Sequence, residues 1–152
     1  MSRISLKAVF LAGILDIVLT NVLAIPVVVA AAIIVGASKL PQAEQTPALL
    51  DAMTRNIGLY VSGMLLGSLA SVVAGYVAAR IARREPVLNG ALSAWLCLAS
   101  GVYGMLQPNS PIPLWVHVAF LPLSPALGAL GGHLWQMRQR RGSHTEGTPA
   151  MA

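Results

Sequence analysis

Asp16, Thr20 and Asn21 form a polar cluster inside an apolar run that extends from Ala8 to Ala37. Asp16 and Thr20 stand four residues apart, so on a helix they share one face. Placing a carboxyl within a bilayer-spanning helix costs about 2.5–3.5 kcal/mol on insertion scales, so Asp16 is expected to face protein rather than lipid. Two uses fit a residue in that position. It handles a proton or a cation, or it serves as a hydrogen-bonding tie between helices. Counting inward from the ends of the other apolar runs brings Ser71, Trp95 to Cys97, and Ser124 to Gly128 to the same level. The candidate proton or ion site is therefore Asp16, Thr20, Asn21 and Ser71. His133 and Arg80 are the nearest further groups with chemistry to offer.

Other reactive side chains are sparse. His117 and His133 are sixteen residues apart on one run, about 24 Å along a helix, and cannot share a metal. Cys97 is the single cysteine and reads as a small packing residue. The sequence contains no His-Glu-x-x-His, no Gly-x-Ser-x-Gly, no phosphate-binding loop and no pair of acidic residues within the apolar runs. No enzyme activity, cofactor or metal is expected.

The elements that must hold Asp16 in place are long apolar helices. Of the 152 residues, 56% are hydrophobic and 10% are charged, with a mean hydropathy of +0.72. A soluble domain carries about 25% charged residues, so lipid is the expected solvent. Four runs meet the requirement of about 20 residues for a spanning helix, at 8–37, 57–82, 87–106 and 112–137. The sequence thus predicts an all-α membrane protein, a four-transmembrane-helix bundle over 1–137. A disordered basic tail is expected over 138–152. The first run is longer than one crossing needs, and Pro26 predicts a kink within it. In the first loop, Thr46 and Pro47 predict the start of a short amphipathic helix, with Asp51 and Arg55 paired one turn apart.

Lys and Arg set the orientation. Arg3, Lys7, Arg80, Arg83, Arg84, Arg138, Arg140 and Arg141 fall on one side of the four runs, and only Lys39 and Arg55 on the other. This asymmetry predicts that the N and C termini are both cytoplasmic. The first run contains Asp16 and exceeds the apolar core of a secretory signal, so it is expected to be retained rather than cleaved. The net charge of +5 sits at the membrane boundary without interleaved aromatics. It points to lipid headgroups, not to nucleic acid.

Helices in lipid associate through close contact, which favours small residues on the touching faces. Gly63, Gly67, Ser71, Gly75 and Ala79 form such a stripe in the second run. Ala8, Ala12, Asp16, Thr20 and Ala24 form one in the first. Asn89, Ser93, Cys97 and Gly101 do so in the third, and Ser124, Gly128 and Gly132 in the fourth. These residues are expected to pack the bundle internally, or to form the seam of a homodimer or larger membrane complex.

Residues 75–96 read GYVAARIARREPVLNGALSAWL. This segment resembles a motif of small four-span bacterial inner-membrane proteins, in which a Gly-Tyr-x-Ala-x-Arg-x-Ala helix end is followed by Asn-Gly or His-Gly. Gly75, Tyr76, Ala78, Arg80, Ala82, Asn89 and Gly90 carry the likeness. The resemblance implies the fold and an inner-membrane location, and it brings no mechanism, because the family has no established activity. Physically, Arg80, Asn89 and Gly90 read as a rigid hairpin hinge. Arg80 reaches headgroups or helix carbonyls, Asn89 caps the third helix or accepts from Arg80, and Gly90 permits a close crossing. The expected role is a scaffold or accessory protein acting through helix–helix contacts. The alternative is a small ion- or proton-coupled transporter that uses Asp16.

Overall fold

The computed structural model describes residues 4–106, 118 and 121–145. The described chain is all-helical. Helix α1 spans Leu6–Val35 and a short 3-10 turn follows at Ala37–Lys39. Helix α2 spans Gln42–Arg55, α3 Ile57–Ala82, α4 Pro86–Ser93, α5 Trp95–Met105 and α6 Leu123–Thr145. Three stretches are long and apolar enough to cross a membrane: Leu6–Val35, Ile57–Ala82 and Pro86–Tyr103. The first half of the expected fourth span lies mostly outside the described residues.

The distribution of side chains is the reverse of that in a water-soluble protein. The fully buried apolar residues are small, Ala8, Ala12, Ala31, Ala70, Ala74, Ala78 and Ala79 among them. The largest side chains buried beyond 98% are Asn89, Asp16 and Ser93. Large apolar groups face outward instead, with Leu6 80%, Ile33 75% and Leu65 66% exposed. Water would penalise that exterior at roughly 25 cal/mol per Å2 of apolar surface. A hydrocarbon solvent does not, and this arrangement suits lipid.

Several boundaries differ from the expectation for local reasons. Helix α1 starts at Leu6 because Ser5 caps it, its hydroxyl accepting from Ala8 N at 3.4 Å. The helix is continuous through Pro26 and ends at Gly36, whose φ of 62° is the left-handed conformation of a C-cap glycine. Helix α2 begins at Gln42, four residues ahead of Thr46, so Thr46 and Pro47 lie inside it. The Gln45 amide donates to Leu40 O at 3.1 Å, which ties the first turn to the preceding loop. The Asp51–Arg55 pair forms at 2.6 Å. Both partners are more than half exposed, so little stability follows from it.

The third run is not one helix. It breaks at Ala94, whose N–H turns to Ala91 O at 3.3 Å. Just before the break, the Ser93 hydroxyl donates back to Gly90 O at 2.6 Å, the type of side-chain bond that bends helices. Helix α6 continues to Thr145, eight residues beyond Met137, so the first part of the basic tail is helical rather than disordered.

Helix α6 lies along both α3 and α4, and α1 packs on the other side of α3. The contact with α6 is made by backbone. A Cβ added to Gly75 or Gly90 would strike Gly128 O, one on Gly131 would strike Val72 O, and one on Gly132 would strike Pro86 O. Gly75, Gly128 and Gly132 thus serve as the packing surface that their spacing predicts, and Gly90, expected in the hairpin hinge, packs against α6 as well. Gly131 joins them although it falls off the four-residue stripe. Gly63 and Gly67 do not: no described atom lies within 4 Å of a Cβ at either position.

Candidate functional site

Asp16 sits where α1, α3 and α5 converge and is 1% exposed. The Ser71 hydroxyl of α3 donates to Oδ1 at 3.2 Å and Oδ2 at 3.3 Å. The Cys97 thiol of α5 donates to Oδ2 at 2.9 Å. Two local features bring these groups together. The Ala8–Ala12–Asp16 face of α1 has no large side chain to hold α3 away. Gly13 lets α1 approach the α4–α5 break, because a Cβ there would lie 3.2 Å from Ser93 O and 3.1 Å from the Trp95 ring. Cys97 is one turn beyond Ser93, so the bend at Ala94 directs the thiol side of α5 to the carboxylate.

An open cleft of about 220 Å3 lies beside this cluster, lined in part by Thr20, Ser68, Ser71, Cys97 and Ser124. Asp16 does not line it. The two groups that bond the carboxylate form part of the cleft wall, so the cleft ends on its hydrogen-bond partners. Ser124 Oγ is buried beside Cys97 and makes no hydrogen bond of good geometry among the described residues. Ser71 and Cys97 supply hydrogen bonds but no charge. Among the described residues no group of three His, Cys, Asp or Glu side chains could hold a metal ion.

Of the residues assigned to this site from sequence, Asp16 and Ser71 meet directly and Thr20 lines the adjoining cleft. Asn21 does not belong to it. Its amide donates to Ile17 O of its own helix at 2.8 Å and the residue is exposed, because its position is rotated about 100° from Thr20 on the helix. His133 and Arg80 are exposed, and the hydrogen-bond partners of Asp16 among the described residues are Ser71 and Cys97 instead. His117 lies outside the described residues. Cys97, read as a packing residue, is a direct partner of the carboxylate. Its place on the Asn89–Ser93–Cys97 stripe, at the level of Asp16, was the available signal.

A second polar cluster holds the hairpin. Asn89 is fully buried. Its Oδ1 accepts from Ser5 N at 2.9 Å, and its Nδ2 donates to Arg84 O at 2.7 Å and to Glu85 O at 3.1 Å. The turn contains two non-glycine residues in the left-handed region, Arg83 at φ 55° and Glu85 at φ 43°. Each such conformation costs about 1–3 kcal/mol unless its surroundings hold it, and Asn89 supplies the holding contacts. Gly90 provides the close crossing with α6. Arg80 takes no part. It is exposed, and Asn89 bonds the first turn of α1 in its place. Nearby, the Tyr76 and Trp135 rings pack edge to face at 5.4 Å, and Arg138 donates to the Tyr76 hydroxyl at 3.3 Å.

No known protein family, curated protein or solved structure matches this chain.

Proposed function

We propose that the chain is a four-span bacterial inner-membrane protein with both ends in the cytoplasm, and that it works as a scaffold or accessory protein through helix–helix contacts. One observation supports this role above others. The small-residue stripe of α3 is filled by α1 and α6 over Ser71, Gly75 and Ala79, and continues to Gly63 and Gly67, where an added Cβ would meet nothing within 4 Å among the described residues. A face of that kind accepts another helix at close range. That helix belongs to a second copy or to a larger membrane complex.

Affinity purification in mild detergent tests the proposal. One partner, or a second copy, should co-purify reproducibly with the wild-type chain and be lost from Gly63→Leu/Gly67→Leu. Unchanged recovery from a folded double variant would reject it. Reporter fusions after residues 45 and 145 test the topology. Position 45 should report outside and position 145 inside.

A second function has its own support in the Asp16–Ser71–Cys97 cluster and the cleft that ends on it. In this alternative the chain is a small ion- or proton-coupled transporter, and Asp16 takes up and releases the coupling ion. An Asp16→Asn chain that folds, inserts and supports the wild-type phenotype rules out proton handling there.

A further inference from the structure

A groove of about 650 Å3 lies between the start of α1 and the α4–α5 break. That volume falls within the range of about 300–1,000 Å3 typical of ligand pockets. Val9 and Phe10 of α1 form one wall, Leu92 and Trp95 the other, and Lys7 stands at the rim. Two features build the groove. The Trp95 indole leans on α1 at Gly13, where Nε1 would lie 3.1 Å from an added Cβ. The Ser5 N–Asn89 bond fixes the first turn of α1 beside α4, which sets the position of Lys7.

Depth and charge identify the occupant. Lys7 is the second residue of a spanning helix, and Phe10 lies about 4.5 Å further along its axis. An ammonium at that level meets phosphate, while the walls below meet acyl chain. Lys7 is exposed and forms no ion pair among the described residues. The exposed Arg80, Arg83 and Arg138 lie at the same end, with Glu85 the acidic group of the adjoining turn. A second copy seated here with its termini on the same side would set one basic end against another, and like charges oppose that arrangement. An anionic amphiphile satisfies both the cation and the apolar walls.

We propose that this groove is a binding site for one anionic phospholipid, with its phosphate on Lys7 and an acyl chain along Phe10, Leu92 and Trp95. To test this, full-length protein in a neutral detergent is titrated with dioleoylphosphatidylglycerol or dioleoylphosphatidylcholine. Retained lipid is counted by native mass spectrometry. One phosphatidylglycerol per protomer should persist at concentrations where phosphatidylcholine is lost. Lys7→Gln should weaken phosphatidylglycerol retention about fivefold, the factor expected for one lysine at a membrane surface. Lys7→Arg should preserve it, and Lys39→Gln, in the α1–α2 loop, should leave it unchanged. Trp95→Ala should weaken both lipids. Equal retention of the two lipids by the wild-type chain overturns the proposal. So does a Lys7→Gln variant that keeps its melting temperature and binds phosphatidylglycerol like wild type, or a dimer whose formation excludes lipid.

Discussion

The two halves of α3 have similar sequences and opposite surroundings. Toward the α3–α4 turn, Ala70, Ser71, Ala74, Gly75, Ala78 and Ala79 are all buried between α1 and α6. Toward α2, Gly63 and Gly67 repeat the same small-residue spacing, but a Cβ added at either would meet nothing within 4 Å among the described residues. Small residues permit close approach but do not compel it. In the packed half, the neighbours have something to offer in return. Helix α6 brings Gly128, Gly131 and Gly132, so backbone meets backbone, and α1 brings the Asp16 carboxylate to Ser71. In the open half, α1 presents Asn21 and Pro26 to the outside instead.

Substitutions that insert bulk or remove ties should separate the two halves. The largest effect is expected at Gly131, where any side chain meets Val72 O. Gly131→Leu should lower stability by about 3 kcal/mol or more, seen as loss of the cooperative melting transition in detergent. Next comes Asn89→Ala. It removes the acceptor for Ser5 N and the donor to two turn carbonyls, at a cost of about 2–3 kcal/mol, and amide exchange at the start of α1 should speed up with it. Asp16→Ala, which leaves the Ser71 and Cys97 donors without their acceptor, should cost about 1–3 kcal/mol. Asp16→Asn keeps shape and an acceptor, and its midpoint should fall between those of wild type and Asp16→Ala. The smallest change is expected at Gly67→Ala. Mid-helix glycine is worse than alanine by about 0.5–1 kcal/mol, so this variant should be slightly more stable than wild type. A marked loss would show that the open half is covered in solution, and the contrast between the halves would disappear.

Much of the architecture was legible in the sequence. Helix α3 occupies the 57–82 run because Asn56 caps its start, accepting from Gly58 N at 3.0 Å. The Asp16–Ser71 pairing could be read by counting turns inward from helix ends, since both helices rise at the same rate per residue. What escaped was set by tertiary contact. The break at Ala94 arises from a serine hydroxyl bonding back along its own helix, and serines are common in membrane helices that stay straight. Gly131 is off the stripe because α6 serves two helices at once, and a single four-residue period describes only one face. Asn21 was placed in the site by adjacency to Thr20, but neighbours in sequence point about 100° apart on a helix. The start of α2 lay ahead of Thr46, and Pro47, its sixth residue, forgoes one backbone bond to Ala43 without ending the helix.

The bonds of Asp16 also bear on how the chain is made. Its partners lie 55 and 81 residues later in the sequence. At about 5–20 residues per second, a ribosome takes roughly 4–16 s to reach Cys97 after Asp16. Until Ser71 is made, roughly 3–11 s after Asp16, the first hydrophobic segment carries a carboxyl with none of its native donors, and until Cys97 follows it has one of the two. The Ser5 N–Asn89 bond waits longer still, across 84 residues. Biogenesis should therefore hold the first segment beside the insertion machinery until the third arrives, and release the three together.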